Sequence, residues 1–476
     1  MTGSVSPHSM HPSALDELGR VHLIGVAGAG MSALTRMLCA RGVPVTGSEL
    51  RESRVVASLR AVGASVHIGQ SATSLPPTDT VIVSTAITET NPEVVAARER
   101  GVRVLHRAEA LAYCMRGYRS VVVAGTHGKT TTTSMTAVAL QHCGVDPSFY
   151  IGAQLNETGT NAHAGTGSVF LAESDESDGS FLVLEPEVAV VTNVEADHLD
   201  YWGDAEAVEQ GFYRFVERVA EGGVVIACAD DPGSARVAEV AHERGRRVVT
   251  YGTGDDADLR VTDVALDSRG SWFQPVLRGR RLPDVSLQVH GMHNVLNAAA
   301  ALAVCVEIGV NAAQAIEGLA LYSGARRRFE FKGEAGGVRL YDDYAHHHTE
   351  LRATLAAARQ IVGQGRLVVA FQPLRYTRTL RFHRELGEAL GLADDVVVME
   401  VYGSNEEPIP GATGALVADA VPLPREHVRF EPSFQAVPAW LAARARPGDV
   451  VLTLGDGIVT TLAPEILELL SVRAPS

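Results

Sequence analysis

The stretch Gly125-Thr-His-Gly-Lys-Thr-Thr131 combines two glycines, a lysine and paired hydroxyls in the arrangement that cradles phosphate. Lys129 is one of only two lysines among 41 Lys and Arg residues; the other is Lys332. In a chain that uses arginine almost everywhere, a compact ammonium here suits the space between nucleotide phosphates, which a planar guanidinium does not fit. Backbone N–H groups along Gly125, Thr126, His127 and Gly128, at the start of a helix, can point at phosphate oxygens, while Thr130 offers a hydroxyl to Mg²⁺. The spacing is two residues shorter than the standard loop. A nucleotide held there needs a metal, and the metal needs oxygen or imidazole ligands nearby. Glu173 in Leu171-Ala-Glu-Ser-Asp-Glu-Ser-Asp178 and His198 in Asn193-Val-Glu-Ala-Asp-His-Leu-Asp200 have those chemistries. The run from Asp175 to Gly179 lacks the alternating ligands and closing glutamate of a calcium loop.

A second glycine pattern, Gly28-Ala-Gly-Met-Ser-Ala33, matches G-x-G-x-x-A, and Glu49 follows at the end of the next expected strand. Alone it fits an NAD-dependent oxidoreductase. The physics asks only for a diphosphate on a helix N-terminus and a carboxylate near a ribose, which a nucleotide-sugar diphosphate also satisfies. Beside a triphosphate site this suggests a transferase or ligase; a redox enzyme and a nucleotide-switched regulatory protein stay open. Further along, Arg375 and Arg378 stand three apart and could clamp a carboxylate. The run His346 to His348 is not a metal site, because adjacent side chains diverge.

These residues need strand ends to hold them. Strands are expected at 21–25, 43–46, 65–68, 81–84 and 102–105, then 120–124, 168–172 and 187–192, and finally 366–371, 395–401 and 449–454. Helices alternate with them: Met31, Leu34, Met37 and Leu38 form one stripe ended by Gly42, and a helix over 130–142 stops at Gly144. Alternation predicts an α/β fold with mostly parallel sheets, whose ligands gather where strands end. Three domains are expected: 18–117, 118–324 and 325–476, after a disordered tail over 1–17.

Composition bounds the rest. With 476 residues and 46% hydrophobic content the chain can build several cores. A net charge of −15 argues against nucleic acid or an anionic membrane surface as partner. The five cysteines are scattered, as core thiols of a reducing compartment would be, and no segment reads as a signal peptide or membrane span, so the cytoplasm is expected.

Taken in order, Thr126-His-Gly-Lys-Thr-Thr131, Glu173 to Asp178, Asn193 to His198, His293-Asn-Val-Leu-Asn297, Arg327-Arg-Phe329 and Asp342-Asp-Tyr-Ala-His-His347 resemble the motifs of the Mur ligases, with Phe371-Gln-Pro, Tyr376-Thr-Arg-Thr379 and Pro408-Ile-Pro-Gly411 adding to the likeness over about 18–470. The resemblance implies three domains: an N-terminal Rossmann-like one for a UDP-sugar, a central P-loop ATPase-like one, and a C-terminal Rossmann-like one for an amino acid. It implies ATP and Mg²⁺ as cofactors, and UDP-N-acetylmuramate and L-alanine as the substrates joined during peptidoglycan stem-peptide synthesis, by a monomer or weak homodimer. The lactyl carboxylate would attack the γ-phosphate, and the amine would displace phosphate from the acyl phosphate. Glycine or serine in place of alanine, in a paralogue, is the alternative.

By the same resemblance, Gly125 to Thr131 bind ATP, with Thr130, Glu173 and His198 as metal ligands. Asn294 reads the adenine with Asn297 in support, Arg328 reaches the phosphates and Asp343 the ribose. Gly28, Ala29, Gly30, Met31, Ser32, Glu49, Thr85, Ala86 and Arg107 hold the UDP-sugar. Tyr344, His346, Arg375 and Arg378 hold the amino acid, and Lys129, His198, Arg328 and His346 are catalytic, His346 as the base for the attacking amine. Lys332 is expected to be solvated. The chain departs from the family pattern at Leu374, where His is usual, at His348, where Pro is usual, at Gly455-Asp-Gly-Ile458, where Gly-Ala-Gly-Asp is usual, and at Glu49, where Asp is usual.

Overall fold

A computed structural model describes residues 12–404 and 406–473. The chain is α/β throughout, with three parallel-rich sheets. It packs as two compact units. One runs to Thr262 and adds Gln274–Val285 and Leu296–Tyr322; the other comprises Asp263–Phe273, Ser286–Val295 and the chain from Ser323.

The first unit holds two sheets. Strands β1 (Val21–Ile24), β2 (Val45–Glu49), β3 (Ser65–Ile68), β4 (Thr80–Val83) and β5 (Arg103–His106) form a parallel sheet of order β3-β2-β1-β4-β5. The order reverses between β1 and β4, the crevice where doubly wound sheets bind ligands. The second sheet is built on β6 (Arg119–Ala124), β7 (Ser148–Tyr150), β8 (Ala162–His163), β9 (Val169–Glu173), β10 (Val188–Val191), β11 (Val224–Cys228) and β12 (Arg247–Gly252), in the order β12-β11-β10-β6-β9-β7-β8. Strands β10 and β11 are buried at every residue, as a parallel sheet covered on both faces requires. Beyond β12 the chain continues through β13 (Leu259–Asp267), β14 (Gly270–Leu277), β15 (Arg280–Arg281) and β16 (Val285–Leu287). One continuous core serves both sheets. Arg41 helps join them: its guanidinium lies 4.8 Å from the Tyr118 ring centre and 5.3 Å from that of Phe170.

The second unit carries β17 (Glu330–Ala335), β18 (Val338–Asp343), β19 (Leu367–Phe371), β20 (Asp395–Met399), β21 (Val428–Glu431) and β22 (Val450–Leu454), in the order β17-β18-β22-β19-β20-β21. Only β17 runs antiparallel to its neighbour. Leu367, Val369 and Phe371 pack into one core cluster and Val368 and Ala370 into another, so the period-two alternation buries both faces.

The expected disordered tail over 1–17 lies outside the described residues as far as 11, and the remainder corrects the expectation. Pro12–Asp16 is a helix, Ala14 is buried, and Leu18 joins the core that serves the first unit's sheets. Cys114, Cys228 and Cys305 are buried, whereas Cys39 and Cys143 are half-buried. No described helix is long and apolar enough to cross a membrane.

Candidate active site

Strands β9, β6 and β10 are neighbours and parallel, so their carboxyl ends bring three loops together. After β6, the chain turns through Gly125 at φ 136° and Gly128 at φ 83° into the helix Lys129–His142. A Cβ on Gly125 would sit 2.0 Å from Thr192 Oγ1, and one on Gly128 2.5 Å from Asn297 Oδ1, so neither position admits a side chain. The loop after β10 fixes this turn from outside. Thr126 N–H donates to Asn193 O at 3.0 Å and His127 N–H to Asn193 Oδ1 at 2.7 Å, while Thr192 Oγ1 donates to His127 O at 2.5 Å.

Lys129 is drawn inward. Its Nζ donates to Gly125 O at 2.5 Å and Thr126 O at 3.0 Å, and meets Glu176 Oε2 at 2.8 Å. Burial opposes the ammonium charge, but Glu176, with Asp175 and Glu173, outweighs it and raises the Lys129 pKa. Burial pushes Glu176 up to about 7 against the pull of Lys129. Beside it, Thr130 Oγ1 donates to Glu173 Oε1 at 2.8 Å, and the other Glu173 oxygen accepts from Gly152 N–H at 2.6 Å. His198 stands at the start of the short helix Leu199–Trp202 in the left-handed conformation, φ 53°. Its Nε2 lies 3.9 Å from Glu176 Oε1 and 3.6 Å from Asp197 Oδ2. Of the three expected metal ligands, Thr130 and Glu173 touch directly, whereas His198 faces Glu176, the carboxylate that pairs with Lys129. Asn297 lies at the same loop, accepting from Thr132 Oγ1 at 3.2 Å.

The carboxyl ends of β1, β2, β4 and β5 gather the second set. The helix Ala29–Ala40 starts directly after Gly28, and Glu49 at the end of β2 accepts from Ala27 N–H at 2.9 Å and Leu50 N–H at 2.8 Å. Glu49 thus braces the glycine turn itself. Ala86 is exposed, whereas Met31 points into the core and Ser32 Oγ donates back to Ala29 O at 3.0 Å. Arg107 Nη1 donates to Tyr150 OH at 3.3 Å, and Nη2 to Asp175 Oδ2 at 2.8 Å. Thr85 Oγ1 reaches Asp178 Oδ2 at 2.8 Å. The acidic loop after β9 therefore touches the glycine-turn domain through Asp175 and Asp178 and the phosphate loop through Glu173 and Glu176. Sequence reasoning quoted Asp175 and Glu176 but gave them no role. Their signal was the run of four acids within six residues, more than a metal alone needs.

In the second unit, Asp343 ends β18 and is buried. It accepts from Phe329 N–H and Ala345 N–H, each at 2.7 Å, and burial, partly offset by Arg328, raises it to about 6. Tyr344 and His346 pack edge to face, ring centres 5.1 Å apart, and His346 Nδ1 lies 2.9 Å from Tyr344 O. A carbonyl only accepts, so that contact places the imidazole proton on Nδ1 and leaves Nε2 as the basic nitrogen. Arg375, at φ 64°, precedes the helix Tyr376–Leu390, and Arg378 in its first turn is buried. Asn294 Nδ2 donates to His290 O at 2.8 Å. Lys332 departs from expectation: it is half-buried in β17 and paired with Glu330 at 3.0 Å.

Comparison with known proteins gives the chain's family. Residues 20–119 match the Mur ligase family catalytic domain, 123–305 the Mur ligase middle domain, and 327–457 the Mur ligase glutamate ligase domain. The UDP-N-acetylmuramate--L-alanine ligase of Acidothermus cellulolyticus is 55% identical over 99% of each chain. The chain belongs to the Mur ligase family. The corresponding ligase of Saccharopolyspora erythraea is also 55% identical to this Mur ligase, over 96% of the chain and 95% of its own. Among solved structures, UDP-N-acetylmuramate-alanine ligase from Thermotoga maritima superposes with a TM-score of 0.79 at 27% identity, covering 94% of this chain and 98% of that one. The oxidoreductase reading of Gly28-x-Gly has no counterpart among these relatives; this Mur ligase has the three-domain α/β fold of its family.

Proposed function

We propose that this chain joins L-alanine to the lactyl carboxylate of UDP-N-acetylmuramate in the cytoplasm, with cleavage of ATP to ADP and phosphate. Relatives of that printed activity, 55% identical over nearly the full length, support the substrate pair. The observation that carries the chemistry is Lys129 held beside the Thr130–Glu173 pair at three adjacent strand ends. In this reading 18–117 takes the UDP-sugar, 118–324 the ATP and 325–476 the amino acid.

The residues suit the proposed roles. Lys129 Nζ is held by two backbone carbonyls and already carries an anionic partner in Glu176, so a phosphate oxygen would take a place the chain keeps for negative charge. The oxygen donors of Thr130 and Glu173, with the imidazole of His198 nearby, fit a hard divalent cation, and these are the residues that would hold Mg²⁺. Bound there, the ion would neutralise charge on the transferring phosphoryl group. Thr130 would orient it through the hydroxyl that now meets Glu173. Arg107 starts the helix Arg107–Met115 and brings its Nη1 to within 3.3 Å of where a Cβ on Gly30 would stand, so it would supply charge for a diphosphate at that turn. With its proton on Nδ1, His346 would take the proton of the attacking amine on Nε2.

Supplying the chain with Mg-ATP and UDP-N-acetylmuramate and then single amino acids tests the reading. Phosphate release should be fastest with L-alanine, and no release with any amino acid overturns the ligase assignment. Oxygen label in the sugar carboxylate should appear in inorganic phosphate; label retained wholly in the amide rules out an acyl phosphate.

A further inference from the structure

β22 runs into the turn Gly455-Asp-Gly-Ile458. The turn is rigid. Gly455 has φ 129° and would put a Cβ 2.5 Å from Gln372 O, and Gly457 would put one 2.3 Å from Gln372 Oε1. Between them Asp456 receives Arg327 Nη1 on Oδ1 at 3.1 Å, while Nη2 of the same guanidinium donates to Gly455 O at 2.7 Å. Arg327 therefore grips the turn with two prongs. It holds its own backbone at φ 60°, its carbonyl accepts from Tyr344 N–H at 2.8 Å, and its guanidinium carbon lies 4.7 Å from the Tyr344 ring centre. The Arg328 guanidinium lies 5.1 Å from the same ring centre. Burial and then the Asp456 carboxylate raise the Tyr344 phenol pKa, so the carboxylate bears on the tyrosine as well as on Arg327. Two residues on, Ile458 packs against the apolar cluster of Met399, Val459 and Leu462. Position 458 thus contributes packing, and the turn's one negative charge sits at 456.

We propose that Asp456 is a positioning residue for the amino-acid subsite, holding Arg327 against Tyr344 and so fixing the tyrosine that packs on His346. This rests on the reading that the second unit takes the amino acid. Asp456 acts through Arg327 and Tyr344 and touches no substrate. Its loss would leave Nη1 of a half-buried guanidinium without its hydrogen-bonded carboxylate, with only Asp342 remaining 3.9 Å from Nε, and would loosen the ring the guanidinium covers.

The experiment measures KM for L-alanine, ATP and UDP-N-acetylmuramate by phosphate release on the full chain. Asp456→Asn should raise the L-alanine KM by about tenfold or more, with the other two KM values within about twofold. Asp456→Glu should recover most of the loss. Arg327→Lys, which keeps the charge but not the two-pronged grip, should show the same selective rise and serves if Asp456→Asn does not fold. The pair Asp456→Asn/Arg327→Lys should be no worse than either alone. An unchanged L-alanine KM in Asp456→Asn overturns the inference, as does a parallel rise in all three KM values with a lowered Tm, which marks a merely structural role. A wild-type chain that releases no phosphate with any amino acid overturns the ligase reading itself.

Discussion

Lys129 Nζ lies within 3.0 Å of two carbonyl oxygens and the Glu176 carboxylate, a pocket shaped to a single ammonium. A guanidinium spreads its charge over a plane and cannot place three donors on one point. Lys129→Arg is therefore expected to cut turnover by at least about a hundredfold, because phosphoryl transfer depends on charge positioned at the transferring group. Near-normal turnover would show that this lysine is not held for its shape. The lysine and its loop were legible from residue types alone, since Gly-x-x-Gly-Lys-Thr after an apolar strand demands little else. Glu176 was not. Its role depends on which of four acids turns inward beneath Lys129, and that is decided by packing: it is buried, and its backbone carbonyl accepts from Trp202 Nε1 at 2.9 Å. The pairing of Arg327 with Asp456 was hidden for a related reason: the two are 129 positions apart in sequence and meet where the neighbouring strands β18 and β22 end.

The helix Lys129–His142 is threonine-rich at its start and buried at every position from Thr130 to Leu140. Its stability comes from the elements around it. The helix Ala312–Leu319 packs on it so closely that a Cβ on Gly318 would stand 2.7 Å from Ala139 Cα and 3.0 Å from His142 Cβ. Gly318→Ala should destabilise the fold by about 1–3 kcal/mol through overpacking. It should also weaken nucleotide binding, since the loop rides on the helix that is displaced. Calorimetry with and without ADP would register both effects, and an unchanged Tm would show that the helices can separate freely. Strands that are short apolar runs bounded by turn residues, such as those ending at Ala124, Val191 and Leu454, were readable to within about a residue. Strands with largely exposed faces were not. β13 is largely exposed beyond Thr262, and β17 has no buried residue, so neither carries the apolar signal that marks a strand. β11 does carry it, in Val224-Val-Ile-Ala227, but its neighbours Gly222 and Gly223 and the acids after Cys228 read equally as loop.

For the molecule as a whole, the half-buried His293 and the buried Asp343 of the second unit set opposing pH dependences. Burial, then Arg328, holds the His293 imidazole down at about 4. Between pH 6.5, its ordinary value, and about 4 the unfolded chain binds a proton that the folded chain refuses, so stability falls as the pH falls through that window. Asp343, raised from 3.8 to about 6, has the opposite sign: between those values the folded chain holds the extra proton, and its contribution improves as the pH falls. His293→Gln removes the first effect and keeps the second. Urea unfolding of wild type and variant from pH 7 to 4.5 should therefore show the wild type losing about 2–3 kcal/mol relative to the variant. Parallel curves would mean that His293 takes up its proton without cost.

The pairing of Lys332 with Glu330 has a practical consequence. Lys129 is 15% exposed and Lys332 29%, and the chain has no third lysine. An amine-selective fluorophore therefore has one preferred ε-amine, on the edge strand of the second unit, and nucleotide in the phosphate loop would widen that preference by shielding the other. The arginine habit of this chain thus leaves Lys332 as its preferred ε-amine, so labelling at a pH high enough to deprotonate lysines would place an optical reporter there alongside the α-amine.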